Sequence, residues 1–239
     1  MKKFLLILIT IISCCGCTKR EDKLIMVTEA GFAPYEYYSD GTIVGVDVDI
    51  AKEIAKELGK ELVVKDVAFD SIIHEVKSGK ADIGVAGISY SDERAKQVDF
   101  SINYTTSKQV VLVRTNSSIS NIKDIKNKKI SVQLGSVADM YVSEEYNKKN
   151  IIRQKKYLAA IQDLKDQKVE CVVMDELPAK EMVKQNPDIR ILNEVLTEDA
   201  YGIIVNKGNE ELLSVINKVI ERLKESGKID KYILEHSSK

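Results

Sequence analysis

An arginine five residues beyond a strand-end serine is the arrangement in this chain best suited to chemistry. The stretch Ala81-Asp-Ile-Gly-Val-Ala-Gly-Ile-Ser-Tyr-Ser-Asp-Glu-Arg94 reads as a short buried strand that closes on small residues and opens into a polar turn. From there Arg94 can reach back beside exposed backbone N–H groups. A planar guanidinium next to oriented donors is what a carboxylate needs. A second segment, Lys165-Asp-Gln-Lys-Val-Glu-Cys-Val-Val-Met-Asp175, echoes Lys77-Ser-Gly-Lys-Ala-Asp-Ile-Gly-Val-Ala86 but ends its strand on an aspartate. One half offers a cation and the other an anion, the complement of a zwitterion such as an amino acid.

Each residue has a plainer reading. Arg94 could be a surface helix arginine paired with Asp92 or Glu93. Asp175 could cap the helix that begins at Glu176, with Pro178 near its first turn. Ser136, at the start of another helix, could also be a cap, although the free N–H groups there attract anions.

The elements that must position these groups alternate. Strand-type runs at Leu24–Thr28, Glu61–Val67 and Ala81–Ala86 are separated by helical stripes over Asp47–Leu58 and Asp70–Lys77. The rhythm resumes after Asn121 with strands 129–134, 151–155 and 169–174 and helices 139–147 and 158–166. Alternation of this kind predicts an α/β protein whose sheets are mostly parallel and covered by helices. Ligands in such sheets sit beyond the carboxyl ends of the strands, where Gly87, Ser89, Gly135, Ser136 and Asp175 all fall. Two β-rich stretches, 109–114 and 201–205, lie between the two βα halves and read as crossovers. The chain then builds one lobe (24–108), crosses to a second (109–203), and returns to finish the first (204–239), leaving a two-strand hinge and a cleft.

Composition excludes several classes. The 239 residues carry a net charge of -1, so no basic excess points to nucleic acid. His74 and His236 stand in no ligand spacing, so no metal site is read. Neither a cofactor motif nor a Gly-x-Ser-x-Gly elbow is present. Met1-Lys-Lys followed by the apolar Phe4–Ile12 has the form of a secretory signal. Residues 1–17 end in Gly16-Cys17, which resembles a lipoprotein cleavage site, with Cys17 the lipidated residue and Cys14 or Cys15 the alternatives. Cleavage there would leave 18–23 as a tether, take the net charge to -3, and place the protein outside the cytoplasmic membrane, anchored by lipid. Cys171 is then the one internal cysteine, read as a core residue within an apolar strand.

The motifs Phe32-Ala-Pro-Tyr-Glu36, Gly45-Val-Asp-Val-Asp-Ile50, Gly87-Ile-Ser-Tyr-Ser-Asp-Glu-Arg94, Val98-Asp-Phe-Ser101, Gln133-Leu-Gly-Ser136 and Met174-Asp175 occur in order. In this succession the chain resembles extracytoplasmic solute-binding proteins of family 3, which deliver polar amino acids to ABC importers. The likeness extends over residues 24 to 235. It implies a two-lobed class II periplasmic-binding fold and a monomeric receptor whose partner is a membrane permease. It also implies that Arg94 takes the ligand's α-carboxylate, helped by backbone donors at Ser89 and at Ser136 or Val137. Asp175, the Gly87 carbonyl and the Ser89 hydroxyl would take the α-ammonium, and Phe32 and Phe69 would sandwich the side chain. Asp47 and Asp49 match the family but read as structural, at a helix start.

Ligand identity rests on Glu29, three residues before Phe32, at a position that in the family can face the side chain. With Glu36 and Tyr37 close in sequence and Asp70 directly after Phe69, an acidic pocket favours arginine, lysine or ornithine; glutamine, histidine and cystine are the alternatives. Two other classes share the fold. A cyclic-acid dehydratase could use Glu29 or Glu36, but no general acid–base pair stands out. A ligand sensor would differ only in its membrane partner.

Overall fold

The computed structural model describes residues 22–237. The expected signal segment and Cys17 lie outside them. The chain runs β1 (Lys23–Thr28), β2 (Gly31–Phe32), β3 (Glu36–Ser39), β4 (Thr42–Val44), α1 (Val46–Glu57), β5 (Glu61–Asp66), α2 (Ile72–Lys77), β6 (Ile83–Gly84), α3 (Asp92–Ala95), β7 (Val98–Phe100) and β8 (Thr105–Arg114). It continues with β9 (Ile130–Gln133), α4 (Val137–Glu145), β10 (Ile151–Gln154), α5 (Tyr157–Lys165), β11 (Cys171–Asp175), α6 (Glu176–Gln185), β12 (Ile189–Tyr201), β13 (Ile204–Asn206), α7 (Glu210–Glu225) and α8 (Lys228–Ser237).

Two five-stranded sheets, β5-β1-β6-β13-β7 and β10-β9-β11-β8-β12, form the two lobes. In both, the three strands of the βα repeat pair in parallel. The remaining two strands join antiparallel, so each sheet is mixed rather than parallel throughout. The antiparallel members are the segments that lead to and from the other lobe. The sequence echo between residues 77–86 and 165–175 now has a structural meaning, since β6 and β11 are the third parallel strand of their respective sheets.

The lobes are joined by a two-stranded ribbon. β7 and β13 pair in the first sheet, and β8 and β12 pair in the second from Thr105↔Tyr201 onward. Between them, Ser101 N–H donates to the Ile203 carbonyl and Tyr104 N–H to the Tyr201 carbonyl. Two strands hydrogen-bonded to each other can bend together while the sheets stay rigid, as a hinge requires.

The helical stripe of α1 buries Ile50, Ala51, Ile54 and Ala55, each large side chain contributing about 1.5–3 kcal/mol of burial. Gly45 starts this helix at φ 135, and a Cβ there would lie 2.0 Å from the Tyr35 carbonyl oxygen. Only glycine lets the chain turn so close to the Phe32–Glu36 segment, where Val46 N–H reaches the Pro34 carbonyl and Asp47 N–H that of Tyr35. That docking places Asp47 beneath the cleft. The strands of the small sheet β2-β3-β4, the strand β7 and the C-terminal helix α8 were absent from the sequence expectations.

Candidate functional site

The carboxyl ends of β1, β6, β9 and β11 converge on a narrow cleft between the lobes. All nine ligand-contact residues expected from the sequence line it: Arg94, Asp175, Ser89, Gly87, Ser136, Val137, Phe32, Phe69 and Glu29. Glu36, Ala86, Gln133 and Tyr157 complete the wall.

Arg94 is held by a short helix whose start is capped: its own N–H donates to Ser91 Oγ at 3.3 Å. The side chain is only 6% exposed and pairs with neither Asp92 nor Glu93. One guanidinium nitrogen donates to the Ser89 carbonyl, the other to the Gly135 carbonyl of the second lobe at 2.8 Å. The cation lies over the Phe69 ring, 5.6 Å from its centroid. Burial pulls the guanidinium down to about 10, against the support of Asp199 and Asp175, so it stays charged at neutral pH.

Asp175 occupies the N-cap position of α6 but makes no capping hydrogen bond. Sheet register explains where its carboxylate goes instead. Asp175 lies opposite Gln109 on β8, and Ser107 on β8 lies opposite Asp199 on β12. Residues two apart on a strand share a face, so all four side chains point the same way. Asp175 Oδ1 accepts from Ser107 Oγ at 2.7 Å and Gln109 Nε2 at 2.8 Å, and from the Tyr201 hydroxyl. Gln109 Nε2 also donates to Asp199 Oδ2 at 2.9 Å. Burial, reinforced by the charge of Asp199, raises the Asp175 carboxyl well above the usual carboxylate range. Two acidic groups bridged by one amide make an electron-rich floor that a cation would satisfy.

The small residues at the end of β6 are fixed from below. Gly87 adopts φ 53, and a Cβ there would approach Phe32 to 2.9 Å. Its N–H donates to Asp47 Oδ2 at 2.9 Å, and the Tyr104 hydroxyl to Asp47 Oδ1 at 2.8 Å. Asp47 is thus structural, as read, and its specific work is to position Gly87. Ser89 Oγ donates to Asp199 Oδ1 at 2.9 Å across the lobes. Ser136 is a true cap: its Oγ accepts from Asp139 N–H at 3.1 Å. Val137 follows as the first residue of α4.

The aromatic pair is less simple than expected. Phe32 is covered by Tyr157, with ring centroids 5.7 Å apart and planes at 22°, while Phe69 supports Arg94. Tyr157 escaped the sequence reading because the helix was expected to begin one residue later. Asp199 escaped because β12 carries no motif there, and only its register beside Ser107 reveals it.

Glu29 faces the cavity and is 1% exposed. Its Oε2 accepts from Gln133 Nε2 at 3.1 Å. Lys156 Nζ lies 3.1 Å from its Oε1, close enough for an ion pair but not aligned as a hydrogen bond. Burial raises the Glu29 carboxyl, and Lys156 and Gln133 offset only part of that. The other acidic-pocket candidates separate. Glu36 lines the cavity, and burial, then the nearby Asp47, pushes its carboxyl well up. Asp70 is exposed and outside the cavity wall. Tyr37 turns to His236 Nδ1, 3.1 Å away.

Residues 24–237 match the model of bacterial extracellular solute-binding proteins, family 3. The chain belongs to this family. The arginine-binding extracellular protein ArtP of Bacillus subtilis is 32% identical, over 97% of this chain and 96% of its own length. The amino acid ABC transporter substrate-binding protein AbpA of Streptococcus pneumoniae, solved with L-arginine, matches with a TM-score of 0.87 at 35% identity, over 91% of this chain and 95% of that one. An ancestral arginine-binding protein solved with arginine matches with a TM-score of 0.84 at 40% identity, covering 90% and 98%. The chain is thus a transporter's binding protein rather than an enzyme, and the dehydratase reading is set aside.

Proposed function

We propose that this chain is the extracytoplasmic receptor of an ABC amino-acid importer, and that its ligand is a cationic L-amino acid, arginine foremost. The observation that carries this reading is the distribution of charge around one cleft. Arg94 lies on the first lobe, Asp175 on the second, and the buried carboxylate of Glu29 on the side-chain side. Arg94, with backbone donors at Ser89 and Ser136 or Val137, takes the α-carboxylate. Asp175, the Gly87 carbonyl and the Ser89 hydroxyl take the α-ammonium, with Asp199 beside them. Phe32 and Phe69 bracket the aliphatic part of the side chain, and Glu29 meets its charged end. The arginine-binding relatives support the same choice.

Each lobe supplies one charge, so only the closed form satisfies both ends of a zwitterion. The ligand shifts the hinge equilibrium by that difference in affinity. The lobes are residues 24–108 with 204–239, and 109–203. Cys17 carries the lipid that tethers a monomeric receptor near its permease. Calorimetric titration with arginine, lysine, ornithine, glutamine, histidine and cystine tests the assignment. Tight one-to-one binding confined to the cationic ligands supports it; tighter binding of a neutral amino acid overturns the choice of ligand.

A further inference from the structure

Lys156 contradicts a simple picture of Glu29 as an open cation subsite. It comes from the second lobe, at the N-cap position of α5, where it makes no capping hydrogen bond. A cation at a helix N-terminus is opposed by the helix dipole, so the helix itself gives no reason for a lysine there. Its ammonium instead crosses the cleft to two first-lobe carboxylates, 3.1 Å from Glu29 Oε1 and 3.3 Å from Asp66 Oδ2.

The two acceptors differ. Glu29 is almost fully buried, and its Oε1 has no aligned hydrogen-bond donor. Asp66 stands at the cleft mouth and is anchored on the first lobe, accepting from Ala30 N–H at 2.9 Å and from the Tyr38 hydroxyl at 3.4 Å. The Lys156 side chain is 43% exposed on a flexible stem. It can therefore leave the buried carboxylate for solvent while retaining the one at the mouth.

We propose that Lys156 is a specificity-determining residue that competes with the ligand's cationic end for Glu29, yielding that carboxylate on binding while keeping Asp66. This rests on the cationic-ligand reading above. A cationic side chain recovers the ion pair it displaces, whereas a neutral one entering the same space strands Glu29 or leaves Lys156 in the way. Its removal therefore strengthens binding of cationic ligands.

The test compares wild type with Lys156→Gln, which keeps a polar side chain only one atom shorter and removes its charge. Titration calorimetry with L-arginine and L-lysine should show dissociation constants about two- to fivefold lower in the variant, the range of a partly exposed ion pair. Unchanged or weaker arginine binding in Lys156→Gln overturns the competition. If wild type binds neither arginine nor lysine, the cationic-ligand reading fails; if wild type binds and the variant matches it, only this inference fails.

Discussion

The Arg94 guanidinium of the first lobe donates to the Gly135 carbonyl of the second at 2.8 Å. The group best suited to hold a carboxylate therefore also links the lobes. A bidentate carboxylate is a stronger partner than a lone carbonyl, so ligand can replace this contact and keep Arg94 in place. Arg94→Ala should remove detectable binding in titration calorimetry, a loss of roughly 2–5 kcal/mol for a buried charge left without its partner. Wild-type affinity in that variant would contradict the assignment.

Glu29→Gln tests the side-chain end. The amide keeps the shape and can still accept from Gln133, but it removes the charge. Affinity for arginine and lysine should fall by about tenfold or more, consistent with roughly 1.5–3 kcal/mol for a hydrogen bond to a charged group. Any neutral amino acid that binds should be affected much less. Equal losses for cationic and neutral ligands would exclude Glu29 as the charge partner.

The Asp175 carboxyl is raised from 3.8 to about 7, first by burial and then by Asp199. The folded protein holds more protons than the unfolded chain between those values, so the slope of stability with pH is negative. This contribution is present below about pH 4 and is lost as pH rises towards 7. Glu36, also raised by burial, acts with the same sign, so the informative quantity is a difference. Unfolding midpoints measured without ligand should decline less across that window in Asp175→Asn than in wild type. Parallel profiles would show that Asp175 is not protonated there. Ligand affinity should move oppositely and rise with pH, because an ammonium needs the carboxylate ionised.

Gly45 offers a stability test away from the ligand. With φ at 135 and only 2.0 Å between an added Cβ and the Tyr35 carbonyl oxygen, the position has no room for a side chain. Gly45→Ala should cost about 1–3 kcal/mol or more, read as a lower thermal midpoint. An unchanged midpoint would mean that the Phe32–Glu36 turn moves freely.

The expected helices and most strands were legible because their apolar periods survive in the fold, α1 through Ile50 and Ile54 and β11 through Val172 and Val173. The site was legible where a short motif carries both backbone and side chain, as from Gly87 to Arg94. It was not legible where residues meet only through register. Asp199 reaches Asp175 through Gln109 across three strands, and nothing near Asp199 in sequence announces that. Lys156 was hidden for a related reason: a lysine at a helix start looks like surface until the opposite lobe brings Glu29 and Asp66 to it. The strand β12 began earlier than its β-rich end suggested because Ile189–Glu198 mixes polar and apolar residues along an edge.

The most direct test of the central claim is a thermal-shift titration of the chain from Thr18 to Lys239 with L-arginine, alongside the Arg94→Ala variant. Arginine at about 1,000 times its dissociation constant should add roughly 4 kcal/mol of stability, giving a clear rise in the wild-type midpoint and none in the variant. No rise in wild type at millimolar arginine, or an equal rise in both proteins, would contradict a cleft that binds a cationic amino acid through Arg94.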